Sequence, residues 1–218
     1  TDRKRAIALL AGKGAEAYQE LPAAEKQKWE IHIVAHSAGA IFTAYALKTF
    51  LGIGIPIKSV HFMAPAISIK LFKEQMMPLI TANDALRPTL YVLSDKGERD
   101  DDVGPYGKSL LYLVSNAFER KRETPLLGME KFINGGNDEL EEAYIDKEIA
   151  ALLRKPINGW PSLVISGAAP SHETVGPSIS RSETHGGFDN DTFTLNSILF
   201  RILGGKPKRL FYSRDLQW

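Results

Sequence analysis

Residues 29–47, WEIHIVAHSAGAIFTAYAL, constrain the fold more than any other stretch of the chain. They begin with a β-branched apolar run over residues 31–35, which has the length and composition of a buried strand. A turn of small residues follows, and residues 41–47 then lack strand alternation and contain several good helix formers. The pattern predicts a strand, a sharp turn and a helix packed closely on the sheet, with Ser37 at the junction.

The turn at Ser37 has the small neighbours that a reactive serine needs. A hydroxyl becomes a nucleophile only when a base takes its proton and fixed donors stabilise the oxyanion that forms. Alanine at positions 35, 38 and 40 and glycine at 39 leave the hydroxyl accessible at the top of a sheet. The backbone N–H of Ala38, at the start of the predicted helix, is the expected oxyanion donor. The alternative interpretation is that Ser37 is an ordinary helix N-cap.

The sequence A-H-S-A-G resembles the G-x-S-x-G nucleophile elbow of the α/β-hydrolase superfamily, with Ala35 in place of the first glycine. The resemblance covers most of the chain, from the elbow strand to the last helix. It implies a serine hydrolase with a Ser-acid-His triad that acts on an ester, thioester or amide through an acyl-enzyme. It implies no metal and no organic cofactor.

Strand-like and helical segments alternate after the elbow. The strands are predicted at residues 57–64, 88–93 and 162–166, and the helices at 68–80, 106–119 and 193–203. This alternation predicts an α/β fold, with a mostly parallel sheet and helices on both faces, in a single domain over residues 1–218. Functional residues of such sheets lie at the carboxyl ends of the strands.

Residues 120–161 interrupt the alternation with a basic turn, a long loop and a helical stretch. We predict an insertion that caps a cleft or covers a sheet edge, because long excursions in compact domains are often functional. An ordinary surface helix is the alternative.

The α/β-hydrolase order of serine, acid and histidine directs the search for the acid to the segment after the third strand. There, residues 94–102 form an acidic stretch, SDKGERDDD, which we interpret as a loop. Asp95 lies nearest the strand end and is the predicted acid that orients the catalytic imidazole. Four other carboxylates remain alternatives: Glu98, Asp100, Asp101 and Asp102.

Five histidines compete for the role of general base. His32 and His61 lie within predicted strands and are interpreted as core or sheet-face residues. His36 adjoins the serine, but at a sharp turn it is expected to point elsewhere and line the pocket mouth. His172 and His185 both follow the fourth strand. We prefer His185 because its setting, SETHGGFDND, resembles the catalytic-histidine loop of α/β-hydrolases.

The segment ahead of the elbow is short. Only 30 residues precede residue 31, and they are mostly helical in pattern, whereas an α/β-hydrolase has further strands before its elbow. The chain therefore resembles the C-terminal part of a hydrolase domain, without the first strands and the loop that supplies the second oxyanion N–H. The elbow strand is then an exposed apolar edge, and we expect association with another copy or with a missing N-terminal segment.

Composition limits the remaining function classes. The net charge of +1 gives no indication of a nucleic-acid partner, and the absence of cysteine excludes disulfides, thiol nucleophiles and cysteine-ligated zinc. No apolar run approaches the roughly 20 residues of a membrane-spanning helix. The chain opens without an apolar secretory segment, and a cytoplasmic location is expected. The expected partner is a small ester-like substrate; the alternative function is a non-catalytic interaction or scaffold module that retains the hydrolase fold.

Overall fold

Four parallel strands form the sheet of this protein. The computed structural model describes residues 12–52, 54, 56–134 and 145–216. Within them the strands are β1 (Ile31–His36), β2 (Ile57–Met63), β3 (Pro88–Val92) and β4 (Leu163–Ile165). They pair in the order β1-β2-β3-β4, and all three pairings are parallel. The predicted α/β class is therefore confirmed.

Helices precede, connect and follow these strands. They are α1 (12–19), α2 (Ala23–Lys26), α3 (Gly39–Gly52), α4 (Ile69–Gln75), α5 (Met77–Ala82), α6 (Asp95–Asp100), α7 (Leu110–Leu113), α8 (Glu130–Ile133), α9 (Lys147–Leu153) and α10 (Thr192–Leu203). Helix α7 continues as a π-helical turn over Val114–Phe118. Among the described residues, no helix is long and apolar enough to cross a membrane.

Strand β3 lies in the centre of the hydrophobic core. All of its side chains are buried, so the sheet is covered on both faces at this strand. Helix α10 packs on the face that carries Thr89 and Tyr91: the Tyr91 hydroxyl lies 3.0 Å from Oγ of Ser197, and Arg201 donates to Oγ1 of Thr89 at 3.2 Å. Because successive side chains of a strand alternate between faces, Leu90 between these two points to the other face, where it is buried as well.

Strand β1 is an edge of the sheet that the structure describes, with β2 as its pairing partner. The side chain of Val34 on this strand is exposed, as are those of Phe42 and Tyr45 on the helix that follows it. Large apolar side chains are thus exposed on the edge strand and on the helix after it, and the backbone groups of an open strand edge are free to pair with a further strand.

The predicted helix over residues 68–80 is divided in the structure. Helix α4 ends at Gln75, and α5 begins at Met77 with Pro78 in its first turn. A proline has no backbone N–H to continue the preceding helix, whereas at a helix start the missing donor is harmless. The position of Pro78 therefore explains the break.

The acidic stretch after β3 is a helix where the sequence pattern predicted a loop. Ser94 is the N-cap of α6, and its Oγ accepts a hydrogen bond from the N–H of Gly97 at 3.0 Å. A capping serine satisfies one of the free N–H groups of the first turn and so stabilises the helix start. As a result, Asp95 is the first helical residue, and the irregular backbone begins only at Asp101, where the helix ends.

The described parts of residues 120–161 pack on the core beside β4. Eight of their apolar side chains are buried: Leu126, Leu127, Met129, Phe132, Ile133, Ile149, Ala150 and Leu153. A cavity of about 530 Å³ is lined by residues of this segment, including Leu153 of α9, together with Leu163 and Ile165 of β4. The middle of the predicted insertion, residues 135–144, lies outside the described residues.

Candidate active site

The serine at the end of β1 sits on a strained turn. Ser37 has a φ of +52°, the left-handed region that non-glycine residues adopt at a cost of about 1–3 kcal/mol. Its N–H donates to the carbonyl of Met63 at the end of β2 (2.9 Å), and its carbonyl accepts from the N–H of Ala66 at 3.0 Å. The neighbouring strand end therefore holds the turn in this conformation and leaves the hydroxyl half-buried between β1 and α3.

The turn also explains why alanine is accommodated at position 35. A Cβ placed on Gly39 would lie 3.1 Å from the Cβ of Ala35, which is closer than two methyl groups normally approach. The methyl group of Ala35 thus occupies the space in front of Gly39. Strand and helix cross closely here because one of the two positions lacks a side chain.

His185 is hydrogen-bonded to this serine. Its Nε2 lies 2.9 Å from Oγ of Ser37, and the residue is 4% exposed. It begins a 3₁₀ turn, His185–Gly187, in the long segment between β4 and α10. The serine comes from the first strand of the sheet and the histidine from beyond the last, so their contact depends on the complete fold.

The environment of His185 keeps its imidazole unprotonated at neutral pH. Its pKa is lowered to about 4, chiefly by burial and in addition by the positive charge of a protonated His36, while the carboxylate of Asp189 opposes both effects. In the tautomer of the neutral ring that carries its hydrogen on Nδ1, Nε2 is an acceptor and Ser37 donates the hydrogen bond between them. This is the proton arrangement that a general base requires.

The N–H of Ala38 has no hydrogen-bond partner among the described residues. Ala38 is exposed, directly follows the serine and directly precedes α3. Unpaired N–H groups at a helix start carry partial positive charge and bind anions. The residue predicted as an oxyanion donor therefore has a free donor beside the serine hydroxyl.

Asp101 is the carboxylate that the structure places against His185. Its Oδ2 accepts a hydrogen bond from the backbone N–H of His185 at 2.8 Å. Its Oδ1 accepts one from the N–H of Asp102 at 2.9 Å, so both carboxylate oxygens are held by backbone donors. The Nδ1 of His185 itself is buried and has no hydrogen-bond partner in the described part of the chain.

The structure does not bring Asp95 to the histidine. One of its carboxylate oxygens accepts a hydrogen bond from the hydroxyl of Tyr112 (2.7 Å), and the other lies 3.0 Å from the guanidinium of Arg99. The cause is the capped helix α6: as its first residue, Asp95 faces α7 and the next turn of its own helix. Proximity to the strand end in the sequence therefore does not place the carboxylate of Asp95 beside His185.

The remaining carboxylates of this stretch are also engaged elsewhere or exposed. Glu98 is fully buried and hydrogen-bonded to the hydroxyl of Ser109, while its Oε1 has no partner among the described residues. The pKa of Glu98 is raised to about 8, chiefly by burial; the hydrogen bond from Ser109 opposes this shift, and the nearby carboxylates of Asp101 and Asp95 add to it. Asp100 pairs with Lys96 at the surface, and the side chain of Asp102 is exposed.

The other four histidines lie in different settings. His172 is exposed and makes no contact with the serine. His32 and His61 both contact Ser59 on one face of the sheet, as expected for sheet-face residues. His36 lies against the backbone of His185, with its Nε2 2.8 Å from the carbonyl oxygen of that residue. No sequence signal indicates this contact, because it joins two segments 149 residues apart.

A cavity of about 660 Å³ borders the segment that carries His185. It is lined by carboxylates of the stretch after β3, including Asp101, and by Ser182, Glu183 and Thr184, but not by Ser37. The cavity therefore lies behind the histidine rather than over the serine. Within the ranges that the structure describes, no group of three or more histidine or acidic side chains is arranged to hold a metal ion.

Comparison with known proteins returned no match. No family model, no curated protein and no solved structure matches the chain. The functional interpretation therefore rests on the geometry of the site.

Proposed function

We propose that this protein is a serine hydrolase of the α/β-hydrolase type, with Ser37 as nucleophile and His185 as general base. The observation that carries the proposal is the 2.9 Å hydrogen bond between Ser37 Oγ and a buried imidazole, at a serine with positive φ between a strand and a helix. This combination of a strained turn, a helix start and an unprotonated base is what serine nucleophiles of parallel sheets require.

The reaction follows from the positions of these groups. Oγ of Ser37 attacks the carbonyl carbon of an ester, thioester or amide while its proton passes to Nε2 of His185. The carbonyl oxygen becomes negatively charged and accepts a hydrogen bond from the N–H of Ala38. The imidazolium then protonates the leaving alcohol, thiol or amine, and the acyl group remains on Ser37. Water, deprotonated by His185, attacks the acyl-enzyme; the tetrahedral adduct then collapses, the bond between the acyl carbon and Oγ of Ser37 breaks, and His185 returns the proton to Oγ as the acid is released.

We assign the role of orienting acid to Asp101 in place of Asp95. A carboxylate in this role must face the imidazole, fix its tautomer and stabilise its charged form. One carboxylate oxygen of Asp101 accepts a hydrogen bond from the main chain of His185, whereas the carboxylate of Asp95 contacts Tyr112 and Arg99 and does not reach the histidine segment. When His185 takes up the serine proton, the Asp101 carboxylate is the negative charge held nearest to its main chain.

The alternative function, a non-catalytic module that keeps the fold, does not explain the backbone strain at Ser37 or its hydrogen bond with His185. A scaffold has no need of a strained serine whose hydroxyl donates to a buried histidine. Strain in the backbone is retained where the surrounding structure maintains it, and such residues cluster at functional sites. The geometry around Ser37 therefore favours the enzyme.

Covalent labelling with a fluorophosphonate tests the proposal. The probe phosphonylates only serines that are activated by a base. We expect labelling of the wild-type chain, loss of labelling in Ser37→Ala and His185→Ala, and unchanged labelling in the matched histidine control His172→Ala. An unlabelled wild type supports the scaffold instead, and labelling that persists in His185→Ala but is lost in His172→Ala contradicts the choice of base.

A strand partner at the open edge of β1 is a further part of the proposal. The side chains of Val34 on β1 and of Phe42 and Tyr45 on α3 are exposed, and open strand edges pair readily. The partner strand comes from a second copy of the chain or from an N-terminal segment of the same fold. Sedimentation equilibrium separates the two: a dimer supports the second copy, and a monomer at all concentrations excludes it.

A further inference from the structure

His36 makes a directed hydrogen bond to the residue that carries the proposed base. Its Nε2 lies 2.8 Å from the carbonyl oxygen of His185. A carbonyl oxygen only accepts, so Nε2 of His36 carries a hydrogen and donates it. The contact thereby fixes the tautomer of neutral His36, with Nδ1 unprotonated.

Three further contacts tie the ring of His36 to the same turn. Its Nδ1 lies 3.7 Å from a carboxylate oxygen of Asp189. Its ring centroid lies 5.2 Å from that of His185, at an interplanar angle of 33°, and 6.5 Å from that of the buried Phe188. One side chain therefore contacts the first, fourth and fifth residues of the stretch 185–189.

The main chain of His185 is held from its other side as well. Asp101 accepts from its N–H at 2.8 Å, while His36 donates to its carbonyl at 2.8 Å. The peptide groups on both sides of the base are thus fixed by side chains that follow two different strands, β3 and β1. This clamp matters because Nδ1 of His185 has no hydrogen-bond partner within the described residues, so the imidazole receives its only side-chain hydrogen bond from Ser37.

We propose that His36 is a positioning residue for the base, which it orients through the hydrogen bond from its Nε2 to the carbonyl oxygen of His185. The inference rests on the proposed hydrolase function. His36 adjoins the nucleophile in sequence, so the same turn that presents Ser37 also fixes the distance between nucleophile and base. A displacement of about 1 Å between reacting groups can lower a rate by about 10²-fold, which sets the scale of the effect.

The charge of His36 also acts on the base. A protonated His36 lowers the pKa of His185, and Asp189, which faces the Nδ1 of His36, raises it. Removal of His36 should therefore move the acidic limb of the kcat/KM profile to higher pH. A residue that only fills space would leave this limb unchanged.

Two substitutions separate the hydrogen bond from the ring. His36→Gln keeps an N–H donor at the end of the side chain but removes the aromatic ring; His36→Phe keeps a ring against His185 and Phe188 but removes the donor. We expect kcat for a p-nitrophenyl ester to fall about 10- to 100-fold in His36→Phe with little change in KM, and to recover to within about 5-fold in His36→Gln. The rate of fluorophosphonate labelling should follow kcat.

The controls keep the outcome unambiguous. His172→Gln removes an exposed histidine outside the site and should have wild-type activity, and cooperative thermal unfolding of each variant shows that it is folded. A labelled wild type together with a fully active His36→Phe overturns the positioning role and leaves the hydrolase intact. An unlabelled wild type overturns the hydrolase. Loss of activity in both His36 variants, with the acidic limb unmoved, shows a packing role and also overturns the inference.

Discussion

Two serines among the described residues lie within hydrogen-bond distance of a buried histidine, and they differ in the backbone that carries them. Oγ of Ser37 lies 2.9 Å from Nε2 of His185, and Oγ of Ser59 lies 2.8 Å from Nε2 of His61. Both histidines are buried, and burial lowers their pKa values to about 4 and about 3. In both rings Nδ1 has no partner in the described part of the chain. The hydrogen bond and the protonation state therefore do not distinguish the two pairs.

The backbone does distinguish them. Ser59 lies inside β2 in extended conformation, and its hydroxyl is shared with a second imidazole, since Nδ1 of His32 lies 2.7 Å away. Ser37 has positive φ at the start of a helix, beside the unpartnered N–H of Ala38. A carbonyl attacked at Ser37 finds an oxyanion donor, whereas the neighbouring N–H groups of Ser59 belong to a strand of the sheet. A base alone does not make a serine nucleophilic. In the proposed mechanism the turn at Ser37 also supplies the oxyanion donor.

The largest effect is expected from exchanging one serine or the other for alanine. Ser37→Ala should reduce turnover of a p-nitrophenyl ester by about 10⁴-fold or more, because no acyl-enzyme can form. Ser59→Ala should keep turnover within about 3-fold, since this hydroxyl supports only sheet-face hydrogen bonds. Steady-state kinetics of the two purified variants measures both. Equal losses of turnover in the two variants would contradict the assignment of Ser37 alone as the nucleophile.

A smaller loss should follow from neutralising the acid at the Ser37 site. Asp101→Asn keeps the shape of the side chain but removes its charge, and we expect kcat to fall about 10²- to 10⁴-fold. Asp95→Asn is the matched control, because that carboxylate contacts Tyr112 and Arg99 and should affect stability more than turnover. The comparison uses kcat and the thermal midpoint of each variant. The reverse ranking of the two kcat values would restore Asp95 as the orienting acid.

The pH profile of activity should report the base at the Ser37 site. His185 must be neutral to accept the serine proton, and its pKa is lowered to about 4. Activity should therefore be maximal at neutral pH and fall as the pH decreases through about 4, by about tenfold per unit below that value. The measurement is kcat/KM against pH with a substrate that does not titrate. A limb at the ordinary histidine value of 6.5 would show that His185 is not buried as described.

The smallest effect concerns stability at the other pair. The pKa of His61 is lowered to about 3 in the folded chain, below the value of 6.5 for an unfolded histidine. The unfolded state therefore binds more protons between these values, and the free energy of unfolding decreases as the pH falls from 6.5 towards 3. His61→Gln should flatten part of this decrease in urea titrations at pH 6.5 and pH 4.5, while the acidic limb of activity stays in place. A wild-type slope in the variant would contradict the buried state of His61.

Much of the fold was predictable because its signals are local. The runs after the elbow, such as residues 57–64 and 88–93, are apolar and β-branched, and the structure forms β2 and β3 there. The break between α4 and α5 and the start of α6 were harder to predict, although Pro78 and Ser94 carry the respective signals. Recognition of Ser94 as a cap would have placed residues 95–100 on a helix and moved the loop to Asp101.

The site was predictable only in part, because its contacts join distant segments. Ser37 and His185 follow from their neighbours in sequence, and the structure brings them together. The contacts of Asp101 and His36 with the main chain of His185 span 84 and 149 residues. Their distances depend on how the strand ends meet, and a single sequence contains no measure of that.

The most direct measurement is to locate a fluorophosphonate adduct on the wild-type chain by tandem mass spectrometry. The peptides that contain Ser37 and Ser59 differ in mass, so a single digest reports on both pairs. We expect one adduct per chain, on Ser37, at a rate that falls when His185 is replaced by alanine, and no adduct on Ser59. Modification of Ser59, or of both serines at similar rates, would contradict the conclusion that the turn at Ser37 is what makes a serine of this protein reactive.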